Sequence, residues 1–189
     1  MSMGGIWLDR SASILRGLME QMMWQTVAVV RLPGNAAAIE VEDLAGYEHI
    51  RLYAYLPVDV TSTSVRVYLR LNDDDGASSY RTGRRQDLGN TALNLSDYLE
   101  VCETSNIGAG TGQVEGYLQS PNAQAPRSWW AFDRQALLAS HKRWHAVGRW
   151  VRDNAGVPPN EAIDKLTLWP ATGWFNAGAQ LYVQGVVRP

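Results

Sequence analysis

Carboxylate and amide side chains gather at one place in the sequence, Asn72-Asp73-Asp74-Asp75-Gly76. Such oxygens are the ligands that Ca²⁺ prefers, but the spacing of an EF-hand loop is not met. With Gly76 at the sixth position of that loop, Leu71 would occupy the first position and Thr82 the twelfth. The spacing therefore favours a turn that closes the preceding strand, and we expect no tightly bound metal there.

The histidines and the cysteine are further candidates for metal binding or nucleophilic catalysis. His141 and His145 stand four residues apart, but a zinc site needs more ligands, and the only other histidine is His49. Cys102 beside His141 or His145 could act as a nucleophile with its base, yet no known hydrolase motif is present. The spacing of Gly108–Gly112 is not that of a phosphate-binding loop and favours a hairpin loop. We predict no catalytic residue, metal or cofactor, and expect the chain not to be an enzyme.

Tryptophan is the most suggestive residue type, because six of the eight Trp lie between residues 129 and 174. Exposed aromatic rings can stack on sugars and also form hot spots of subunit interfaces. We expect four or more of these six rings to fill the core, which leaves one or two for a ligand or an interface. The candidates for that role are Trp129, Trp130, Trp144 and Trp174.

The candidate residues after Thr26 are expected to lie on β-strands or the loops between them, because apolar residues there recur at every second position. In His49–Leu56 and Val65–Leu71, apolar residues alternate with Arg and Tyr, which is typical of antiparallel strands with one buried face. The residues predicted to enter one common core are Ile50, Leu52, Leu56, Val65, Val67, Leu69 and Leu71. Eight further strands are predicted at Val27–Leu32, Ala37–Val41, Tyr98–Cys102, Gln113–Leu118, Ser128–Asp133, Arg143–Arg152, Ile163–Trp169 and Leu181–Val187. The polar stretch 72–97 is predicted to be one long surface loop.

Short strands separated by turns, without βαβ alternation, predict an all-β fold of the β-sandwich or jelly-roll type. The chain has 189 residues and a net charge of −2, which suggests a single domain without the basic face that nucleic-acid binding requires. No apolar run approaches the 18 residues of a membrane span. The single cysteine excludes an intrachain disulfide. We therefore expect neither a nucleic-acid nor a membrane partner.

The first 25 residues form a separate predicted segment, ahead of a β domain over 26–189. All five Met lie within the first 23 residues, and residues 11–24 have one apolar side at helical spacing. That side comprises Ile14, Leu15, Leu18, Met19 and Met22. We predict a short amphipathic helix that docks on a partner. Met1–Leu8 has no basic start, so we expect no secretion signal.

Two stretches resemble virion proteins of tailed bacteriophages. The first is Ala37–Thr82, with Tyr47-Glu48-His49-Ile50-Arg51-Leu52 similar to a "Tyr-x-x-Leu-x-Leu" strand and Asn72-Asp73-Asp74 similar to an "Asn-Gly-Asp" turn. The second is Ala162–Val186, with Leu181-Tyr182 followed by Gly185-Val186 similar to a "Leu-Tyr-Gly-Ile" ending. This sequence has Asp73 where those proteins have Gly and Ala179 where they have Ser, and residues 84–160 match only loosely.

The resemblance implies a jelly-roll β-sandwich, used as a head decoration protein, a head fibre or a tail-fibre module and often trimeric. It brings no catalytic residues. We expect a virion structural protein assembled in the host cytoplasm, foremost an external capsid decoration (cement) or head-fibre protein. Its partners would be other virion proteins, first the major capsid protein, and copies of itself, with a trimer favoured. The alternative is a tail-fibre or receptor-binding module that recognises host-surface glycan. A glycan hydrolase, which would need two carboxylates in a cleft, is the least favoured class.

Overall fold

The computed structural model describes residues 24–59, 65–86, 94–104, 112–119, 127–133, 144–151 and 162–187. These residues form twelve strands and no helix, so the predicted all-β class is confirmed. None of their segments is a helix that could cross a membrane. The strands are β1 (Gln25–Arg31), β2 (Ile39–Val41), β3 (Tyr47–Tyr55), β4 (Val65–Leu71), β5 (Tyr80–Gln86), β6 (Asn94–Ser96), β7 (Leu99–Thr104), β8 (Gln113–Gln119), β9 (Arg127–Asp133), β10 (Trp144–Trp150), β11 (Leu166–Pro170) and β12 (Gln180–Val187).

The strands form two antiparallel sheets. The larger has the order β1-β12-β3-β8-β9-β10-β5-β6, and the smaller has the order β2-β11-β4-β7. Eight of the strands pair in a nested way: β1 with β12, β2 with β11, β3 with β8, and β4 with β7. The pairings β12·β3 and β11·β4 join these four pairs into two four-stranded sheets. The other four strands, β9, β10, β5 and β6, extend the larger sheet beyond β8.

One hydrophobic core lies between the sheets, and its members come from both. All seven residues predicted to share a core are buried there. In β4 the side chain of Arg66 is 57% exposed, whereas both its neighbours, Val65 and Val67, are buried. The predicted register is therefore confirmed. A shift by one residue would move every apolar side chain of the strand into water, which is why the alternation fixes the register.

The prediction of a single loop over 72–97 is wrong. Tyr80–Gln86 is strand β5, which pairs with β10 over its full length, and Asn94–Ser96 is strand β6 at the edge of the larger sheet. After Tyr80 and Thr82, which are buried, the strand continues through Gly83, two Arg and Gln86. Tyr80 packs in the core and backbone hydrogen bonds to β10 hold the rest of the strand, so the strand lacks the run of apolar alternation that reveals β3 and β4.

The acidic stretch that follows β4 begins with a tight turn. Asn72 and Asp73 both have positive φ, at 51° and 54°, and the Asp74 N–H donates to the Leu71 carbonyl over 3.1 Å. Asn and Asp tolerate this left-handed region better than other non-glycine residues. The predicted turn at the end of β4 is confirmed, and Asn72-Asp73 is its central pair.

Candidate functional site

The outer surface of the larger sheet carries a dense set of tyrosine and amide side chains. In β3 the residues Ile50 and Leu52 enter the core, so Arg51, Tyr53 and Tyr55 lie on the opposite side. The strand registers place their neighbours on β12 and β8 directly beside them. We call the resulting nine residues the tyrosine face; its three rows are Gln180–Tyr55–Gln113, Tyr182–Tyr53–Glu115 and Gln184–Arg51–Tyr117.

An ion pair organises one end of this face. Arg51 Nη2 lies 2.7 Å from Glu115 Oε1, and the Tyr117 hydroxyl donates a hydrogen bond to the same oxygen. The Arg51 guanidinium also lies 4.4 Å from the ring centroid of Tyr53 and 5.2 Å from that of Tyr117. Burial and the hydrogen bond to Glu115 raise the pKa of Tyr117 to about 12. The group is thus neutral as a whole at pH 7, and each member is held by another.

Tyr182 is fixed in a similar manner on the other side of β3. Its hydroxyl lies 2.6 Å from Thr26 Oγ1, and Gln184 Nε2 donates to it over 3.5 Å. The ring centroids of Tyr182 and Tyr53 are 6.3 Å apart with planes tilted by 39°, within the range of favourable aromatic pairs. Both rings therefore have defined orientations before any ligand arrives.

A groove of about 370 Å³ lies over the first two rows of the tyrosine face. Its side chains are aromatic, amide, carboxylate and aliphatic, and they include Tyr53, Tyr55, Gln113, Glu115, Gln180, Tyr182 and Val29. Val29 on the edge strand β1 is 68% exposed, and Tyr55 is 38% exposed. These two residues give the groove accessible apolar surface beside groups that form hydrogen bonds.

The smaller sheet carries a second aromatic cluster. Tyr68 stacks on Tyr98 at 3.9 Å between centroids, and Trp169 meets Tyr68 edge-on at 5.7 Å. The Arg70 guanidinium lies 4.7 Å from the Trp169 ring centroid and forms a 2.9 Å ion pair with Asp97. Here the rings pack mainly on one another. The cluster therefore joins β4 and β11 to the turn between β6 and β7, and its rings are covered by one another rather than free to bind a ligand.

The sequence-predicted tryptophans do not come together at the groove. Trp174 is 52% exposed in the loop between β11 and β12, where its carbonyl accepts a 2.8 Å hydrogen bond from the Asp59 N–H. It is not among the described residues that line the groove. Trp129 and Trp130 lie on β9 and Trp144 on β10, and the side chains of these three are outside the described part of the structure.

The predicted docking residues of the N-terminal segment also lie outside the described residues. They are Ile14, Leu15, Leu18, Met19 and Met22. His141 and the side chain of His145 are likewise outside them, and Cys102 is buried in the core.

The acidic stretch uses its carboxylates for contacts within the chain. Asp74 accepts from the Gly76 N–H at 3.1 Å, from Ser79 Oγ at 2.6 Å and from the Trp150 indole Nε1 at 2.7 Å. Asp73 accepts from Lys165 Nζ at 3.0 Å. Across the part of the chain that the structure describes, no three His, Cys, Asp or Glu side chains are grouped so that they could hold a metal ion.

No protein-family model, curated protein or solved structure matches this chain.

Proposed function

We propose that this chain is a jelly-roll virion structural protein of a tailed bacteriophage, and that it decorates the outside of the capsid or forms a head fibre. The observation that carries the proposal is the nested pairing of eight strands. First pairs with last, second with seventh, third with sixth and fourth with fifth, as in a long hairpin rolled into two sheets. Double-sheet jelly rolls of this kind are common in viral capsid proteins and lectins.

The resemblance to virion proteins supports the same proposal. Ala37–Thr82 contains β2, β3 and β4, and Ala162–Val186 contains β11 and most of β12. These five strands belong to the nested set. Residues 84–160, where the resemblance is loose, contain the extension strands β6, β9 and β10 and part of β5, together with the nested strands β7 and β8. The resemblance therefore covers five of the eight nested strands and none of the four extension strands in full.

The position of β1 supports an anchoring role for the residues before it. β1 begins at Gln25 on the edge of the larger sheet and pairs on one side only, with β12. A segment that precedes an edge strand can leave the sheet without crossing it. The predicted docking helix would thus extend from the rim of the domain towards the capsid surface.

Purified phage particles provide the test. Particles produced with and without a functional copy of the gene for this chain should be compared by peptide mass spectrometry and electron microscopy. We expect the protein in complete particles at many copies, with added density on the outer capsid surface that the mutant particles lack. Absence of the protein from purified particles would contradict the proposal. Density confined to the tail would support the tail-fibre alternative.

The tyrosine face favours a second candidate function, a receptor-binding module that recognises host-surface glycan. Accessible tyrosine rings flanked by amides are suited to sugars and are not required for packing of the core. The two candidates differ in what they need: a decoration protein needs a capsid contact, whereas a receptor-binding module needs a ligand site on its free surface.

A further inference from the structure

We propose that the groove on the tyrosine face binds an uncharged oligosaccharide, with Tyr55 as its central stacking platform. This inference rests on the receptor-binding candidate, to which it adds a site and a ligand class. It does not depend on where the protein sits in a particle.

The first argument is that Tyr55 lies between two glutamine side chains. Its cross-strand neighbours are Gln180 on β12 and Gln113 on β8, one on each side. Directly opposed side chains in a sheet start from Cβ atoms about 4.5–5.5 Å apart, so both amides are within reach of a sugar lying on the ring. An amide donates and accepts hydrogen bonds, as does a sugar hydroxyl. In this row the Tyr55 ring would stack on the C–H face of a pyranose, and the two amides would form hydrogen bonds with its hydroxyls.

The second argument is charge. Glu115 is the one carboxylate among the described groove residues, and it is paired with Arg51 at 2.7 Å. A further cation, Arg31, lies opposite Gln180 on the edge strand β1, at the rim of the groove. The described residues that line the groove include no cation, and Arg31 is not among them. The lining itself therefore matches a neutral polyol better than a phosphate, uronate or sialylated sugar, and a comparison with charged sugars tests whether Arg31 attracts an anion instead.

The third argument is preorganisation. β12, β3 and β8 each have a paired strand on both sides, so the platform stands on the interior of a sheet. Tyr182 is held by Thr26, and Tyr53 packs against Tyr182 and the Arg51 guanidinium. A site whose side chains are already ordered loses less conformational entropy on binding. The volume of about 370 Å³ lies within the range of small-molecule sites, roughly 300–1,000 Å³.

The experiment uses the full chain on a printed array of uncharged gluco-, galacto- and manno-oligosaccharides, with sialylated and uronic-acid oligosaccharides as charged comparators. The tightest array member is then titrated by calorimetry. We expect an uncharged oligosaccharide to bind and Tyr55→Ala to weaken it at least about tenfold. Tyr55→Phe keeps the ring and should retain most of the affinity. Gln113→Ala combined with Gln180→Ala changes only exposed side chains, and it should weaken binding even if Tyr55→Ala fails to fold.

Two control variants separate this groove from the other aromatic surfaces. Tyr68→Ala makes the same chemical change on the opposite sheet and should leave the affinity unchanged. Trp174→Ala tests the exposed tryptophan outside the described groove lining and should also bind normally.

Four results would overturn the inference: no binding to any uncharged oligosaccharide, binding of charged comparators only, unchanged affinity of the double Gln variant, or loss of binding in Trp174→Ala alone. Self-association that Tyr55→Ala abolishes, without any sugar binding, would instead assign the face to contacts between copies. None of these results bears on whether the protein is found in particles, so the two proposals fail separately.

Discussion

At the scale of single residues, one carboxylate connects the turn after β4 to the core. Asp74 accepts from Ser79 and from the indole of Trp150, which is fully buried. Hydrogen bonds to a charged group contribute roughly 1.5–3 kcal/mol each, and they are lost together when the carboxylate is removed. We therefore expect Asp74→Ala to lower the free energy of unfolding by about 2–4 kcal/mol, measured by denaturation in urea.

The matched control is Asp75→Ala, which makes the same change one residue further along at an exposed position. It should change the free energy of unfolding by less than about 0.5 kcal/mol. Equal effects of the two substitutions would show that the contacts of Asp74 do not stabilise the fold.

The pKa of Tyr117 provides a residue-level probe of the tyrosine face. Burial and Glu115 raise this pKa to about 12, above the ordinary value of about 10. The folded protein then holds the phenol proton more tightly than the unfolded chain does, so this group makes stability fall as the pH rises from about 10 to 12. We expect Glu115→Gln to lower the pKa of Tyr117, measured by NMR titration of the ring Cζ. The pKa of Tyr68, raised to about 12 by burial and the hydrogen bond with Tyr98, should stay unchanged.

At the scale of elements, the contact between the two sheets requires a glycine on β10. A Cβ at Gly148 would overlap Leu99 Cδ2 of β7 and lie 3.0 Å from the backbone oxygen of Arg81 on β5. The backbone atom cannot yield without disturbing the β5·β10 pairing. We expect Gly148→Ala to lower the free energy of unfolding by about 1–3 kcal/mol, measured by denaturant titration.

Gly46→Ala is the control, because no described atom lies within 4 Å of a Cβ placed at that position. Combining Gly148→Ala with Leu99→Ala should cost less than the sum of the two single changes, since the second removes the side chain that the new methyl group meets. Strict additivity of the two would contradict close packing of β7 on β10.

The sequence indicates some elements and hides others for a physical reason. β3 and β4 each bury one face, so alternation of side chains reveals both their existence and their register. β5 and β6 are mostly polar, and although Tyr80 enters the core, they pair with β10 and with each other through backbone hydrogen bonds and contain no run of alternating apolar residues. The same alternation in β3 places Tyr53 and Tyr55 opposite the core side of their strand. The cross-strand neighbours of Tyr55, Gln113 and Gln180, come from strands far away in sequence, and periodicity does not determine such pairings.

At the scale of the whole molecule, the four extension strands change what the nested core can do. They widen the larger sheet from four strands to eight, while the smaller sheet stays at four. The extension begins next to β8, so β8 becomes an interior strand like β3 and β12, while the edge strand β1 lies beside β12 and contributes Val29 to the groove. An interior position shields the face from edge-to-edge pairing with other chains, which edge strands invite.

The last prediction concerns the segment before β1. Among the described residues, the fully buried core begins at Ile39, and the earliest residue that packs against it is Val27. Deleting residues 1–24 should therefore leave a folded β protein with nearly unchanged far-ultraviolet circular dichroism and free energy of unfolding, but one that no longer joins phage particles. In the full chain, replacing Ile14, Leu18 and Met22 by Ser should have the same effect on assembly, because burying each of these side chains on a partner would contribute about 1.5–3 kcal/mol. Replacing Arg16 and Glu20 on the polar side is the control and should preserve assembly. If the truncated protein unfolds, the segment belongs to the core; if it folds and still occupies particles normally, the segment is not the anchor.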